Sequence, residues 1–146
     1  MKASQKIRAL VVDDESLARD TIQILLEDET DIEVIGECKD GLSAVEAIEK
    51  ENPDLVFLDV QMPGLSGIEV LGKVRSARMP VVVFVTASDE YAVRAFETNA
   101  IDYRVKPYTD ERFQASLKRV REIFLQKDRA DLESRLRELV SSSVSP

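Results

Sequence analysis

The sequence predicts an α/β domain with a five-stranded parallel sheet and five flanking helices. Short β-branched segments alternate with amphipathic segments of helical length along most of the 146 residues. Such alternation is typical of βα units, whose right-handed crossovers place helices on both faces of a sheet. Several strand segments are almost entirely apolar, as expected when helices cover a strand on both sides.

Five segments have the composition of strands. The first, third and fourth are nearly all apolar, whereas the second alternates apolar and polar residues, which is typical of a strand nearer an edge. The predicted strands cover residues 7–12, 32–37, 55–58, 81–85 and 102–105.

Five helices are predicted after these strands. The first two carry regular stripes of leucine, isoleucine and valine. The second is expected to end near Asn52-Pro53, because proline disfavours a helical conformation in the residue before it. The third is predicted over about residues 66–77, the fourth over about residues 90–97, and the last from about Thr109 onward.

Composition divides the chain into three parts. Residues 1–6 form an N-terminal tail, residues 7–126 form the domain, and residues 127–146 form a helical linker with a serine-rich end that is expected to be flexible. Leucines at 125, 132, 136 and 139 recur at spacings of 7, 4 and 3, which is a heptad-like seam. The seam is short, so two interpretations stay open. In the first, the seam dimerises or links the domain to a further domain. In the second, its leucines only extend the packing of the last helix, or they are disordered without a following domain.

The residue types that are absent exclude several kinds of chemistry. The chain has no histidine and one cysteine, Cys38. It therefore offers no Ser-His-Asp or Cys-His catalysis, no histidine-ligated metal site and no intrachain disulfide. Cys38 falls at a predicted strand and is expected to be an ordinary core thiol.

The net charge of −8 is concentrated in the first part of the chain, where residues 1–109 contain 12 Lys and Arg against 21 Asp and Glu. This segment is not expected to bind nucleic acid, because phosphate backbones require a basic surface. No apolar run is long enough to cross a bilayer, and the first residues lack the apolar stretch of a signal peptide. We therefore expect a cytoplasmic protein that does not contact a membrane.

Three carboxylates follow the predicted strands at the edge of the sheet where α/β proteins place their sites. Asp13 and Asp14 follow the first strand and Asp59 follows the third. One such aspartate is commonly a helix N-cap, but three together repel one another unless a cation or a proton relieves the repulsion. An all-oxygen ligand set favours Mg²⁺ over zinc.

Two further residues supply what a phosphoryl group requires. A carboxylate at the mouth of a sheet, such as Asp59, can act as a nucleophile toward phosphorus. The transferred group then needs positive charge and hydrogen-bond donors around its oxygens. Lys106 at the end of the fifth strand and Thr86 at the end of the fourth are placed to supply them.

Four sequence blocks at these strand ends resemble the signature blocks of response-regulator receiver domains. The resemblance covers residues 7 to about 126, and the blocks stand in the order of that family. They are VVDDE at residues 11–15, FLDVQMPG at 57–64, VTA at 85–87 and VKPY at 105–108. It implies the flavodoxin-like receiver fold, with five parallel strands in the order 2-1-3-4-5.

The resemblance also implies a metal site and a phosphoacceptor. Asp59 would be the phosphoacceptor and Mg²⁺ the cofactor. Asp14 would ligate the metal directly and Asp13 mainly through bound water. Asp59 and the backbone carbonyl of Gln61 would complete the protein ligands.

Around the phosphoryl group, the resemblance assigns Thr86 as a hydrogen-bond donor and Lys106 as an ionic partner. The donor would be a histidine of a sensor kinase, which agrees with a chain that has no histidine of its own. The receiver would act as a signalling switch rather than an enzyme, promoting its own phosphotransfer and slow dephosphorylation.

Tyr103 stands where the family places its switch aromatic; its alternative interpretation is a core tyrosine with its hydroxyl at the surface. Movement of Thr86 toward the phosphate would let the ring turn inward and alter the face formed by the fourth helix, fifth strand and fifth helix. Homodimers could form through this face or through the C-terminal helix. The face would include Tyr91, Arg94, Arg104 and Arg112.

Residues 84–97 and 100–103 further resemble receivers attached to LytTR-type DNA-binding domains. Such regulators control transcription, but no output domain fits in the residues after 126. A stand-alone receiver that signals by protein contact is the nearest alternative. An aspartyl-phosphate phosphohydrolase would need a carboxylate at Gln61, and a flavin- or nucleotide-binding domain would not place Asp13-Asp14-Glu15 at its phosphate loop.

Overall fold

The computed structural model describes residues 6–76, 78–98 and 100–144. Five strands pair in parallel in the order β2-β1-β3-β4-β5, which confirms the predicted sheet. The elements in chain order are β1 Ile7–Val12, α1 Ser16–Leu26, β2 Ile32–Cys38, α2 Gly41–Glu51, β3 Leu55–Leu58, α3 Gly67–Lys73, β4 Val81–Thr86, α4 Ala92–Glu97, β5 Asp102–Val105 and α5 Asp110–Val144.

The sheet separates two apolar layers. In β1, Leu10 and Val12 pack with residues of α2, α3 and α4, whereas Ala9 and Val11 pack with residues of α1 and α5. This division follows from the two-residue period of a strand, which sends neighbouring side chains to opposite faces. Both faces of β1, β3 and β4 are therefore covered, and their apolar composition is explained.

The chain winds in one direction from β1 to β2 and in the other from β3 to β5. The direction of winding reverses between β1 and β3, and such a reversal leaves a crevice at the carboxyl ends of the two strands. The residues that directly follow β1 and β3 are Asp13 and Asp59. The fold alone therefore places both carboxylates at one crevice.

The second helix ends where the sequence predicts. The side chain of Asp40 caps its start by accepting a hydrogen bond from the Ser43 N–H. Asn52 ends it in the left-handed conformation, with φ of 48°, directly before Pro53. Cys38 is buried and burial raises the pKa of its thiol, as expected for a core cysteine.

Two helix bounds differ from the prediction. The third helix ends at Lys73 rather than near residue 77, and Ala77 lies outside the described residues. Val74 is extended, and the next N–H, of Arg75, donates to Glu49 on α2 instead of continuing the helix. The fourth helix begins at Ala92 rather than near residue 90, because the Ser88 hydroxyl accepts from the Glu90 N–H and forms a turn first.

The last helix is the longest element, with 35 residues. It begins one residue after Thr109, as predicted, but it continues through the serine-rich segment to Val144, where a flexible end was expected. Once a helix is nucleated each further residue adds a backbone hydrogen bond, which offsets the weak propensity of serine. Residues 1–5 and 145–146 lie outside the described residues, and the boundary at residue 126 stays a prediction. No helix of the described ranges combines the length and apolar character needed to cross a membrane.

Candidate functional site

Backbone hydrogen bonds fix the two aspartates at the crevice. The Asp13 N–H donates to the Cys38 carbonyl at 3.0 Å, and the Asp59 N–H donates to the Val12 carbonyl at 3.0 Å, so the strand ladders extend to these residues. Asp13 is 1% exposed and Asp59 is 5% exposed, whereas Asp14 is exposed. One carboxylate oxygen from each of these residues lies within 4.8 Å of the others. The three carboxylates among the four predicted metal ligands are thus brought together.

The two buried carboxylates are held in the same way. Oδ1 of Asp13 accepts the Glu15 N–H at 3.0 Å, and Oδ1 of Asp59 accepts the Gln61 N–H at 3.0 Å. Each aspartate therefore bonds to the backbone two residues ahead, a turn that aspartate forms readily. This leaves Oδ2 of both residues directed to the same cation, Lys106.

Lys106 is placed by the end of β5. Its N–H donates to the Thr86 carbonyl at 2.8 Å, and its Nζ lies 2.8 Å from Oδ2 of Asp13 and 3.7 Å from Oδ2 of Asp59. Burial alone would lower the pKa of Lys106, but Asp13 and Asp59 raise it above its ordinary value. The side chain therefore stays charged, with Glu15 as a third partner at 3.3 Å.

Lys106 does not fully compensate the negative charge of Asp59. Burial, followed by the negative charge of Asp13, raises the pKa of Asp59 to about 6. The nearby Thr86 hydroxyl, Lys106 and the Gln61 N–H lower this pKa but do not restore the ordinary value. The crevice therefore holds excess negative charge, which a bound cation would relieve.

The hydroxyl of Thr86 is another unusual feature of the crevice. It is fully buried near Asp59. Among the side chains of the described ranges, its Oγ1 alone is buried without a hydrogen-bond partner. A buried hydroxyl with no partner costs about 1–3 kcal/mol, so it calls for a functional explanation. A ligand oxygen bound at Asp59 would satisfy it.

Tyr103 is half-buried at the edge of the core. Its ring packs against the core beside Phe84, with ring centroids 6.2 Å apart, and its hydroxyl donates to the Ser88 carbonyl. The carbonyl belongs to the segment that follows β4 and Thr86. The tyrosine is thus tied to the residues directly after the unpartnered threonine.

One of the four residues expected on the exposed face around Tyr103 is not exposed there. Arg94 and Arg112 are exposed and Tyr91 is half-buried, but Arg104 is turned inward. Its guanidinium donates to Ser116 at 2.7 Å and pairs with Asp102 at 3.0 Å. Since the partners of Arg104 lie on its own strand and on α5, this side chain links two elements instead of extending to solvent.

Two residues of the site carried no assigned role in the sequence. Glu15 contacts Lys106, and its only signal was its place directly after Asp14. Gly67 begins α3, and a Cβ built there would lie 2.2 Å from the carbonyl oxygen of Asp59. The helix start therefore packs against the backbone of Asp59 so closely that only glycine fits, and no pattern in the sequence predicted that.

This arrangement corresponds to a known family. The family model described as response regulator receiver domain matches residues 9–118. The chain therefore belongs to the response-regulator receiver domains, which are signalling switches. The predicted family is confirmed, while the LytTR subclass has no support from the family model.

Curated relatives are response regulators longer than this chain. The transcriptional regulatory protein BtsR of Escherichia coli strain K12 is 44% identical over 116 residues, which cover 80% of this chain and 48% of BtsR. BtsR of Salmonella typhi is 47% identical over 116 residues, with the same coverage. An uncharacterized response regulatory protein of Shewanella oneidensis is 48% identical over 115 residues, or 79% and 49% of the two chains. The chain thus spans about half the length of these relatives.

Solved structures agree with the fold. The response regulatory domain of mrkE from Klebsiella pneumoniae superposes with a TM-score of 0.76 at 32% identity, covering 82% of this chain and 98% of that one. The response regulator domain of Thermotoga maritima CheB gives a TM-score of 0.72 at 29% identity, covering 81% and 96%.

Proposed function

We propose that this chain is the phosphorylation switch of a two-component response regulator, and that Asp59 accepts a phosphoryl group from a histidine of a sensor kinase. One observation carries the proposal: the buried Asp59 carboxylate has both the ammonium of Lys106 and the buried hydroxyl of Thr86 close to it. A nucleophile, a fixed cation and a free donor are the groups that phosphoryl transfer requires.

The donor set of the crevice fits Mg²⁺. Asp13, Asp14 and Asp59 would hold the ion with the backbone carbonyl of Gln61, whose N–H already bonds to Asp59. All of these ligands are hard oxygen atoms, which suit Mg²⁺. The raised pKa of Asp59 supports the same assignment, because it reports negative charge that the protein leaves uncompensated. When bound, Mg²⁺ supplies positive charge to the phosphoryl oxygens.

The protein's own residues account for the transfer. A carboxylate oxygen of Asp59 forms a bond to phosphorus as the bond from phosphorus to the donor's imidazole nitrogen breaks, and that nitrogen keeps the electron pair. Lys106 pairs with one phosphoryl oxygen, and the Thr86 hydroxyl donates to another. The transfer leaves both of these side chains bound to the phosphoryl group.

The kinase would dock beside this crevice. An open groove of about 340 Å³ lies between α1 and the segment that joins β5 to α5, and Lys106 forms part of its wall. Leu17, also in its lining, is 76% exposed on α1. An exposed apolar groove next to a reactive group is typical of a partner site, so we assign the phosphohistidine-bearing helix of the kinase to it.

The output follows from the link between Thr86 and Tyr103. A hydrogen bond from Thr86 to the phosphoryl group would fix the segment after β4, and with it the Ser88 carbonyl that holds the Tyr103 hydroxyl. The face formed by α4, β5 and α5 would then change its affinity for a partner or for a second copy. BtsR is named as a transcriptional regulatory protein, so we assign the output to transcription in the cytoplasm. The further assignment to a LytTR-type domain rests on the resemblance of residues 84–97 and 100–103 alone.

Two competing functions are less well supported. An aspartyl-phosphate phosphohydrolase would use a carboxylate two residues after its nucleophile as acid and base, and that residue is Gln61. A stand-alone receiver would use the same switch without a DNA-binding output. The chain is therefore assigned as a switch and not as an enzyme that acts on an external substrate.

The proposal is tested by incubation with acetyl phosphate and Mg²⁺, followed by quantification of acid-labile phosphate. Wild-type protein and Thr86→Ser, which keeps the hydroxyl, should be labelled, whereas Asp59→Asn should not. Asp13→Ala and Asp14→Ala should weaken Mg²⁺ binding in calorimetry. Failure of the wild type to acquire phosphate, or unchanged Mg²⁺ affinity in both alanine variants, contradicts the proposal.

A further inference from the structure

The last part of α5 extends beyond the domain, and only the start of this extension lines an open groove with domain residues. Every residue from Leu125 to Ser141 is exposed, and the helix runs to Val144. At 1.5 Å per residue this extension is about 30 Å long. An isolated helix of such length is marginally stable in water, so its apolar residues would gain from a partner.

The apolar residues of the extension form one stripe. Leu125, Leu132, Leu136 and Leu139 are between 51% and 66% exposed, and their spacing of 7, 4 and 3 keeps them on one side of the helix. The groove against the domain is lined by Phe124, Lys127, Ala130 and Asp131 on a different side of the helix, and Asp128 lies between that side and the stripe. The leucine stripe is therefore directed away from the domain and is available to a second helix.

The charges beside the stripe discriminate between the two ways in which copies of this helix could pair. In heptad terms Leu125, Leu132 and Leu139 take position d, and Arg129 takes position a. A parallel pair would stack the two Arg129 side chains against each other at the seam. It would also place Asp128 opposite Glu133 of the other copy, twice by symmetry. Both contacts are repulsive.

An antiparallel pair removes these conflicts. In the register that sets Leu125 against Leu136 of the other copy, Arg129 packs beside Leu132 instead of beside its own equivalent. Asp128 then faces Arg135 of the other copy, twice by symmetry. The same residues that oppose a parallel coil therefore favour an antiparallel one.

We propose that the extension of α5 is a self-association surface, and that two copies of this chain pair through it as an antiparallel coiled coil with its twofold axis near residues 130–131. The two domains then lie at opposite ends of the coil. Pairing does not involve Asp59, so it should not depend on phosphorylation.

Sedimentation equilibrium of the full chain at low ionic strength tests the proposal. The wild type should show a reversible monomer–dimer equilibrium. Asp128→Arg and Arg135→Asp should each raise the dissociation constant about tenfold, because two attractive contacts become repulsive. The combination of both substitutions should restore the wild-type value within about twofold. Leu132→Gln with Leu136→Gln should abolish the dimer, while Leu42→Gln, at an exposed leucine of α2, should not change it.

Each other outcome overturns the proposal. A parallel coil would be strengthened by Asp128→Arg, because the new arginine would face Glu133 of the other copy. A wild type that stays monomeric at every concentration would assign the stripe to a following segment or another protein. Circular dichroism of every variant establishes that the helix itself is retained.

Spin labels give an independent measure of orientation. With Cys38→Ala as background, labels at Ala130→Cys should lie close together in the dimer. Labels at Glu138→Cys should be separated by about 22 Å along the coil axis. Equal distances at the two positions would indicate a parallel coil and contradict the proposal.

Discussion

Removal of the charge of Asp59 should stabilise the metal-free protein. Burial and Asp13 raise the pKa of this carboxyl from 3.8 to about 6. A shift of about two pKa units corresponds to about 3 kcal/mol of free energy that opposes the ionised form in the native state. Asp59→Asn keeps the shape of the side chain without the charge. It should therefore raise the free energy of unfolding by up to about 3 kcal/mol above about pH 6.

The pH dependence has a definite sign. Since the pKa of Asp59 is higher in the folded than in the unfolded state, the folded protein binds more protons between about pH 4 and pH 6. The destabilisation of the wild type by ionised Asp59 is absent below this pH range, develops across it and is complete above it. The advantage of Asp59→Asn should follow the same course and disappear near about pH 3.

Urea unfolding in the presence of a chelator, followed by far-ultraviolet circular dichroism across this pH range, measures the effect. Asp28→Asn is a matched control at an exposed aspartate after α1 and should change little. Added Mg²⁺ should stabilise the wild type by about 2.7 kcal/mol at a hundredfold excess over its dissociation constant, and the asparagine variant less. If Asp59→Asn is less stable than the wild type near about pH 8, or if its advantage does not depend on pH, the charge of Asp59 does not destabilise the folded protein.

Four further substitutions test other parts of the structure by chemical denaturation. Gly67→Ala should destabilise the fold by about 2–3 kcal/mol, because the new Cβ meets the Asp59 carbonyl, whereas Gly72→Ala, in open space on the same helix, should stabilise it by about 0.5–1 kcal/mol. Lys106→Met leaves the buried carboxylate of Asp13 without its cation and should cost about 2 kcal/mol in metal-free protein; no loss would contradict the ion pair. Burial alone would raise the pKa of Asp102, but the hydrogen bonds from Ser116 and Arg104 outweigh burial and hold this pKa below its ordinary value. Ionised Asp102 should thus stabilise the protein above about pH 4, with the contribution lost as pH falls through the lowered pKa. Asp102→Asn should be less stable than the wild type at neutral pH and should approach it in acid.

The sequence predicted the sheet and the position of the site because both depend on short-range patterns. Continuous apolar runs identify strands covered on both faces, and the residues that end β1 and β3 must meet at one crevice in this topology. The meeting of Asp13 and Asp59 at one crevice was therefore predictable from the order of the strands. Lys106 was predictable for the same reason, as the residue directly after β5.

The differences arise where a distant residue decides a local outcome. The third helix ends early because Glu49 on α2 binds the backbone after it, and nothing within the helix encodes that contact. Arg104 was expected on an exposed face, but Asp102 and Ser116 hold it inward. Ser116 is twelve residues away on another element, so local composition could not indicate the pairing.

The site of phosphorylation itself can be located chemically. After incubation with acetyl phosphate and Mg²⁺, reduction with borohydride converts an aspartyl phosphate to homoserine, which peptide mass spectrometry assigns to one position. Homoserine is expected at position 59 and not at positions 13, 14 or 54. Modification at another aspartate, or none at all in folded wild-type protein, would contradict this expectation.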